Sequence, residues 1–197
     1  MEANASARLE RLAVSSLEKC LARISRVSAG AWEIAGAQVS SGTLEDALAQ
    51  HDFKHPAAAV YFKVPGEFPF TAIMLVDLND TGHILESYLG ATFPQAQDFS
   101  HPAEVMLTEL GNIILNSLIN SLLNALQRSI MPPVPACVHG GSASLAGQLA
   151  ADTDAGQHYR TVTVSLSISC GGRASRSEVI GLIPAELENE LERKCKE

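Results

Sequence analysis

The chain has 197 residues, 46% of them hydrophobic and 18% charged, with a formal charge of −8. That balance excludes collagen, coiled coil and disordered chains, and the acidic sign argues against a nucleic-acid partner. The four cysteines, Cys20, Cys137, Cys170 and Cys195, lie far apart with no CxxC, which reads as reduced thiols rather than a disulfide or zinc framework.

Helical spacing of Leu9, Leu12, Ala13, Leu17, Leu21 and Ile24 predicts a first helix over 7–27, stopped at Ala29-Gly30. Its charged start, MEANASARLERL, has no apolar leader segment, so a cytoplasmic protein is expected. Trp32 to Val39 alternates as a strand does, and Thr43-Leu-Glu-Asp46 has the form of a capped helical turn. Apolar runs at 58–64 and 70–78, with Pro65-Gly66 between them, predict an antiparallel hairpin. Thr81 to Leu89 reads as a further helix closed by Gly90, and residues 91–100 as a polar connection.

A long helix is predicted from Pro102 to Met131, where Pro132-Pro133 ends it. Its Asn residues interrupt what would otherwise be the best membrane-span candidate, and no span is expected. A weak strand follows at 135–138, and the Gly, Ser, Ala and Asp of 140–156 read as a mobile loop. Tyr159 to Cys170 alternates strictly, Gly171-Gly172 turns the chain, and 178–183 pairs back before a terminal helix over 185–195. The order helix, strand, hairpin, helix therefore occurs twice. The expected fold is α+β: one domain over 1–197, with halves at about 7–90 and 100–197, whose sheet packs against long helices.

The long helix carries the most chemistry. Leu110, Ile114, Leu115, Leu118, Ile119, Leu122 and Leu126 fall on one side, and Glu109, Asn112, Asn116, Asn120 and Asn124 on the other. Asn is a mediocre helix former, so such a stripe is not there for helix stability. Gly111, on the apolar side, costs about 1 kcal/mol against Ala and implies close approach of another element. Two readings of this face stand side by side. One is a solvated face that happens to be amide-rich. The other is a functional pair, since Glu109 and Asn112 stand one turn apart, where a carboxylate can grip a cation and a carboxamide can orient water.

Glu109-Leu110-Gly111-Asn112, followed after twenty-two residues by Pro135, resembles the active-site signature of the CheC/CheX/FliY phosphatases. A proline at one fixed offset narrows chance matches about twentyfold. The family's two pseudo-symmetric halves match the doubled element order. The resemblance implies dephosphorylation of a phosphorylated CheY-like response regulator, with Asn112 aiming the attacking water and Glu109 pairing with a receiver lysine. It implies no cofactor of the chain's own, Mg2+ on the phosphorylated partner, a CheD-type deamidase as a further partner, and a monomer or homodimer. Two departures accompany it. Val105 stands where the signature has Ser or Asp, and Arg11 and Val14 stand where the first helix would carry a second Glu and Asn. The first half then holds a degenerate site. The alternative is a non-catalytic response-regulator-binding adaptor or flagellar-switch relative. A third reading is a homodimer built through the amide-rich face.

Other constellations are weaker. His51 and His55 have metal-ligand spacing, but Pro56 disfavours helix at His55. Cys137 and His139 have nothing to orient them as a dyad, and a buried strand cysteine is the simpler reading. The terminal glutamates read as a solvated face.

Overall fold

Each half of the chain contributes three strands to a single antiparallel sheet. In the computed structural model, residues 2–52, 54–91, 99–151, 153, 154 and 156–194 are described, apart from the side chains of 2–5. The first half holds α1 (Glu2–Val27), β1 (Ala31–Gly42), α2 (Leu44–Leu48), β2 (Ala57–Val64), β3 (Phe70–Asp77) and α3 (Leu78–Leu89). The second holds α4 (His101–Ala125), β4 (Ala136–Gly140), α5 (Ser142–Ala150), β5 (Tyr159–Cys170), β6 (Arg173–Pro184) and α6 (Ala185–Lys194).

The strand order is β1-β5-β6-β3-β2-β4. Exchanging every element for its counterpart in the other half merely reverses that order. The sheet therefore has a pseudo-twofold axis between β3 and β6, and the first strand of each half pairs with the hairpin of the other. This is the doubled α+β architecture expected from the sequence, and each half carries a short helix after its first strand, α2 expected from Thr43–Asp46 and α5 not.

Alternation along the strands builds two cores. Ala58, Val60, Phe62, Met74, Val164 and Leu166 face the layer of α1 and α4. Ala57, Ala59, Tyr61, Ile73, Leu75 and Leu182 face α2 and α5. The central strands β2 and β3 are thus covered on both sides, which is why they read as continuous apolar runs. The helix α2 begins with the expected capping box: the Thr43 hydroxyl accepts from Asp46 N at 3.3 Å, and Asp46 Oδ2 accepts from Thr43 N at 2.8 Å.

The structure corrects the sequence reading at three places. Residues 142–150, expected as part of a mobile loop, form α5. Leu145 and Leu149, at i and i+4, bury against Leu44 and Leu48 of α2, and this tertiary contact outweighs the small, polar residues around them. The long helix stops at Ala125, not at Met131. Gln127 adopts a left-handed φ of 55°, its N–H bonds Asn124 O, and the Arg128 N–H bonds Leu123 O, the bond pattern of a Schellman cap. The last hairpin also pairs further than expected, to Cys170 with Arg173. Gly171 and Gly172, with φ of 58° and 80°, make that two-residue turn possible. Residues 92–98 of the polar connection and the last three residues of the terminal segment, Cys195 among them, lie outside the described residues.

By length and composition α4 could cross a membrane. Here its apolar side lies buried between the sheet and α1. The two long helices run antiparallel: Cys20 faces Ile113 O, the Ser117 hydroxyl donates to Ser16 O at 2.8 Å, and Ser121 donates to Leu12 O at 3.3 Å.

Candidate functional site

All seven apolar residues assigned to the inner side of α4 are buried. Ser100 caps the helix through its hydroxyl, with Pro102 in the first turn and Glu104 favourably placed there. Glu109, Asn120 and Asn124 are exposed on the outer side, and Asn112 and Asn116 are half-buried. Both predicted site residues therefore project from one stretch of α4 and reach solvent.

What fixes that stretch is Gly111. A Cβ there would stand 2.6 Å from Val60 Cγ1 and 2.8 Å from Val60 Cβ, so the α4 backbone rests directly on β2. In the sheet, Val60 is in register with Cys137 of β4. Pro135 immediately precedes β4, two residues from that contact. The spacing of Pro135 from Asn112 thus has a structural counterpart, since the proline leads into the edge strand beside which the Glu109–Asn112 turn is seated.

The Asn112 side chain is itself held. Asn116 Nδ2 donates to Asn112 Oδ1 at 2.6 Å, an i,i+4 bond along the outer face of α4. Among the described residues that is the one side-chain bond of Asn112, which leaves one lone pair of the oxygen and both Asn112 N–H donors available. Val105, at the position of the signature's leading Ser or Asp, is 45% exposed and offers no polar atom. Neighbouring Glu104 lies 3.6 Å from His101 Nδ1, and its carbonyl accepts from the Thr108 hydroxyl at 2.7 Å.

In the first half Arg11 is exposed and folds back along its helix, with Nε donating to Ala7 O at 3.2 Å, and Val14 is half-buried. The remaining candidates separate. His51 Nδ1 meets Glu178 Oε2 at 2.6 Å while His55 is exposed, and no three potential metal ligands cluster among the described residues. His139 stacks edge-on against Phe99, with ring centroids 5.2 Å apart. Burial pushes the Cys137 thiol up to about 11, partly offset by its hydrogen bond with Thr108, which is the opposite of an activated nucleophile. Burial raises Cys20 as well.

Sequence reasoning did not find what α1 brings to this face. Between the C-terminal half of α1, α3 and α4 runs a groove of about 680 Å3, and Asn116 is on its wall. The helical period of α1 was readable, but not that its end would lie beside residues 113–120.

No protein-family model matches the chain, and no curated protein matches its sequence. Solved structures do match. FliY of Thermotoga maritima, 13% identical, superposes with a TM-score of 0.72 over 98% of this chain and 96% of that one. The FliM middle domain of H. pylori, 16% identical, gives 0.62 over 96% and 99%. CheX of Vibrio vulnificus, 10% identical, gives 0.54 over 89% and 98%. The chain has the fold of the CheC/CheX/FliY family, spanning nearly the whole of each of these relatives.

Proposed function

We propose that the chain is a phosphatase acting on a phosphorylated, CheY-like response regulator, with Asn112 and Glu109 as its working residues. The observation that carries this reading is the placement of the pair. An exposed carboxylate and a half-buried, held carboxamide project from one helical turn pinned to the sheet at Gly111.

An aspartyl phosphate is already an activated acyl phosphate, and the receiver that bears it holds the Mg2+ that offsets its charge. The remaining need is a water molecule held in line with the phosphorus. The Asn112 carbonyl oxygen accepts a hydrogen bond from the water, which turns a water lone pair toward the phosphorus. The water oxygen bonds to phosphorus, the bond to the aspartyl oxygen breaks, and the aspartate leaves as a carboxylate. The water protons pass to the phosphate product and to solvent. Glu109 pairs with a receiver lysine and fixes the register of the two proteins.

A second reading is a non-catalytic adaptor or switch component that holds the receiver without hydrolysing it. Val105 supports it, because the signature's Ser or Asp is replaced there by an apolar side chain. The matches to FliM support it too, one of them a complex of H. pylori FliM with FliG.

The test follows phosphate release from receiver domains autophosphorylated with a small phosphodonor, with and without this chain. Stimulated release that Asn112→Ala abolishes while binding survives is the expected result. Glu109→Ala is expected mainly to weaken the complex. Binding with no stimulated release selects the adaptor, and a fully active Asn112→Ala variant would falsify the role given to that amide.

A further inference from the structure

The groove between the long helices lies on the same face as Glu109 and Asn112 and joins them through Asn116. Its apolar lining is Ile24, Val27, Tyr88 and Ile113, and Arg23 and Arg26 line it as well. Val27 is 83% exposed and Ile113 is 42% exposed, although both are large apolar residues. The Arg23 and Arg26 side chains lie along α1, each Nε donating to the carbonyl four residues earlier, Lys19 O at 3.3 Å and Ala22 O at 3.2 Å. Neither guanidinium meets a carboxylate among the described residues. Arg128, Arg160 and Arg173, on other elements, each do. Among the described residues, then, Arg23 and Arg26 form no ion pair, and they sit beside an apolar trough.

We propose that this groove is a second docking surface for the phosphorylated receiver, taking an acidic, apolar-edged element of that partner next to its phosphoryl group. The inference rests on the phosphatase reading for the partner's identity, and charge complementarity supplies the rest. A receiver site that binds Mg2+ does so through carboxylates, so the surface around its phosphoryl group is acidic. Glu109 on α4 takes that site's lysine, and Arg23 and Arg26 on the neighbouring α1 take its acidic rim. Basic groups on α1 beside an acid on α4 form a charge pattern that favours one orientation of the partner over the reversed one. The exposed Val27 and Ile113 then provide the apolar contact that surface ion pairs alone do not.

The experiment uses the full chain and a panel of receiver domains loaded with beryllium fluoride and Mg2+ as a stable phosphoryl mimic. Affinity is measured at low and at high salt. Arg23→Glu/Arg26→Glu is expected to weaken binding about tenfold or more and to flatten its salt dependence. Arg23→Lys/Arg26→Lys keeps most of the affinity. In phosphate release the reversal raises KM and leaves kcat unchanged. Both side chains are exposed, so thermal unfolding of the variants stays at the wild-type value and separates loss of binding from loss of fold.

Wild-type affinity in the charge-reversed variant overturns the proposal. So does capture of the wild type on anionic vesicles that the same reversal abolishes while receiver affinity is unchanged. A receiver bound through the arginines but never dephosphorylated sinks the phosphatase reading and leaves the groove standing. Lost turnover in Asn112→Ala together with unchanged affinity in the reversed variant does the opposite. If no receiver of the panel binds the wild-type chain, both fall.

Discussion

Asn116 donates its side-chain amide to the carbonyl oxygen of Asn112 at 2.6 Å, across one turn of α4. Without that bond the Asn112 carboxamide is free to spin about its last torsion, which is broad and roughly two-fold. With it, the oxygen has a fixed direction and one free lone pair. Asn116→Ala is therefore expected to lower kcat about three- to tenfold with KM unchanged, the size of effect a loosened water-orienting group gives. Asn116→Asp is the sharper variant. A carboxylate only accepts, so it attracts the Asn112 amino group and turns the oxygen away, and a larger loss of kcat follows. If phosphate release by both variants matches the wild type, Asn116 has no part in holding Asn112.

Gly111 offers a test of how the site is seated. Alanine there gains about 1 kcal/mol of helix propensity but puts a methyl 2.6 Å from Val60 Cγ1, and overpacking of that kind costs about 1–3 kcal/mol. Gly111→Ala is expected to lower Tm by roughly 2–4 °C and to reduce kcat by lifting the Glu109–Asn112 turn. Adding Val60→Ala removes the methyls in the way, so the double variant recovers part of the turnover even though Val60→Ala alone is destabilising. Additive losses in the two variants would mean that α4 is not seated on Val60.

The thiol of Cys137 gives a pH prediction. Burial is the main cause of its rise from 9.0 to about 11, so folding favours the protonated form. Below pH 9 the thiol is protonated in both folded and unfolded chains and contributes no pH dependence. Between pH 9 and 11 the unfolded chain loses the proton first, so stability falls as pH rises. Cys137→Ala should remove that share of the alkaline decline, as followed by thermal unfolding across this interval. Alkylation of Cys137 in the native protein should be very slow at pH 8 and accelerate toward pH 11. Rapid labelling at pH 8 would contradict the burial.

Much of this was readable before any coordinates. The inner side of α4 follows from the 3.6-residue period of its leucines and isoleucines, and the strands from alternation or unbroken apolar runs. The Thr43–Asp46 capping box needed only local chemistry, and Gly111 announced a close contact although not that its partner was Val60. What escaped depends on distant pairs. Helix α5 exists because Leu145 and Leu149 find Leu44 and Leu48 about a hundred residues earlier. The groove exists because α1 turns antiparallel to α4, and no period within either helix encodes that crossing. The amide stripe was visible, but the direction of the Asn116 to Asn112 bond was not.

The early end of α4 escaped for a different reason, and it leads to the last prediction. Helices commonly close on glycine in the left-handed region, and here glutamine does it, at φ 55°. A side chain in that region costs about 1–2 kcal/mol that glycine does not incur, against about 0.5–1 kcal/mol of extra backbone entropy that glycine loses on folding. Gln127→Gly is therefore expected to stabilise the protein by about 0.5 kcal/mol. Gln127→Val, β-branched and poorly tolerated at positive φ, should destabilise it by more than that. Both are read from the urea midpoint at unchanged m value, so that an altered unfolded state is not mistaken for an altered cap. Equal midpoints for Gly, Gln and Val would show that the chain does not turn left-handed at 127. In that case α4 would be free to run on toward Pro132, as its sequence alone implies.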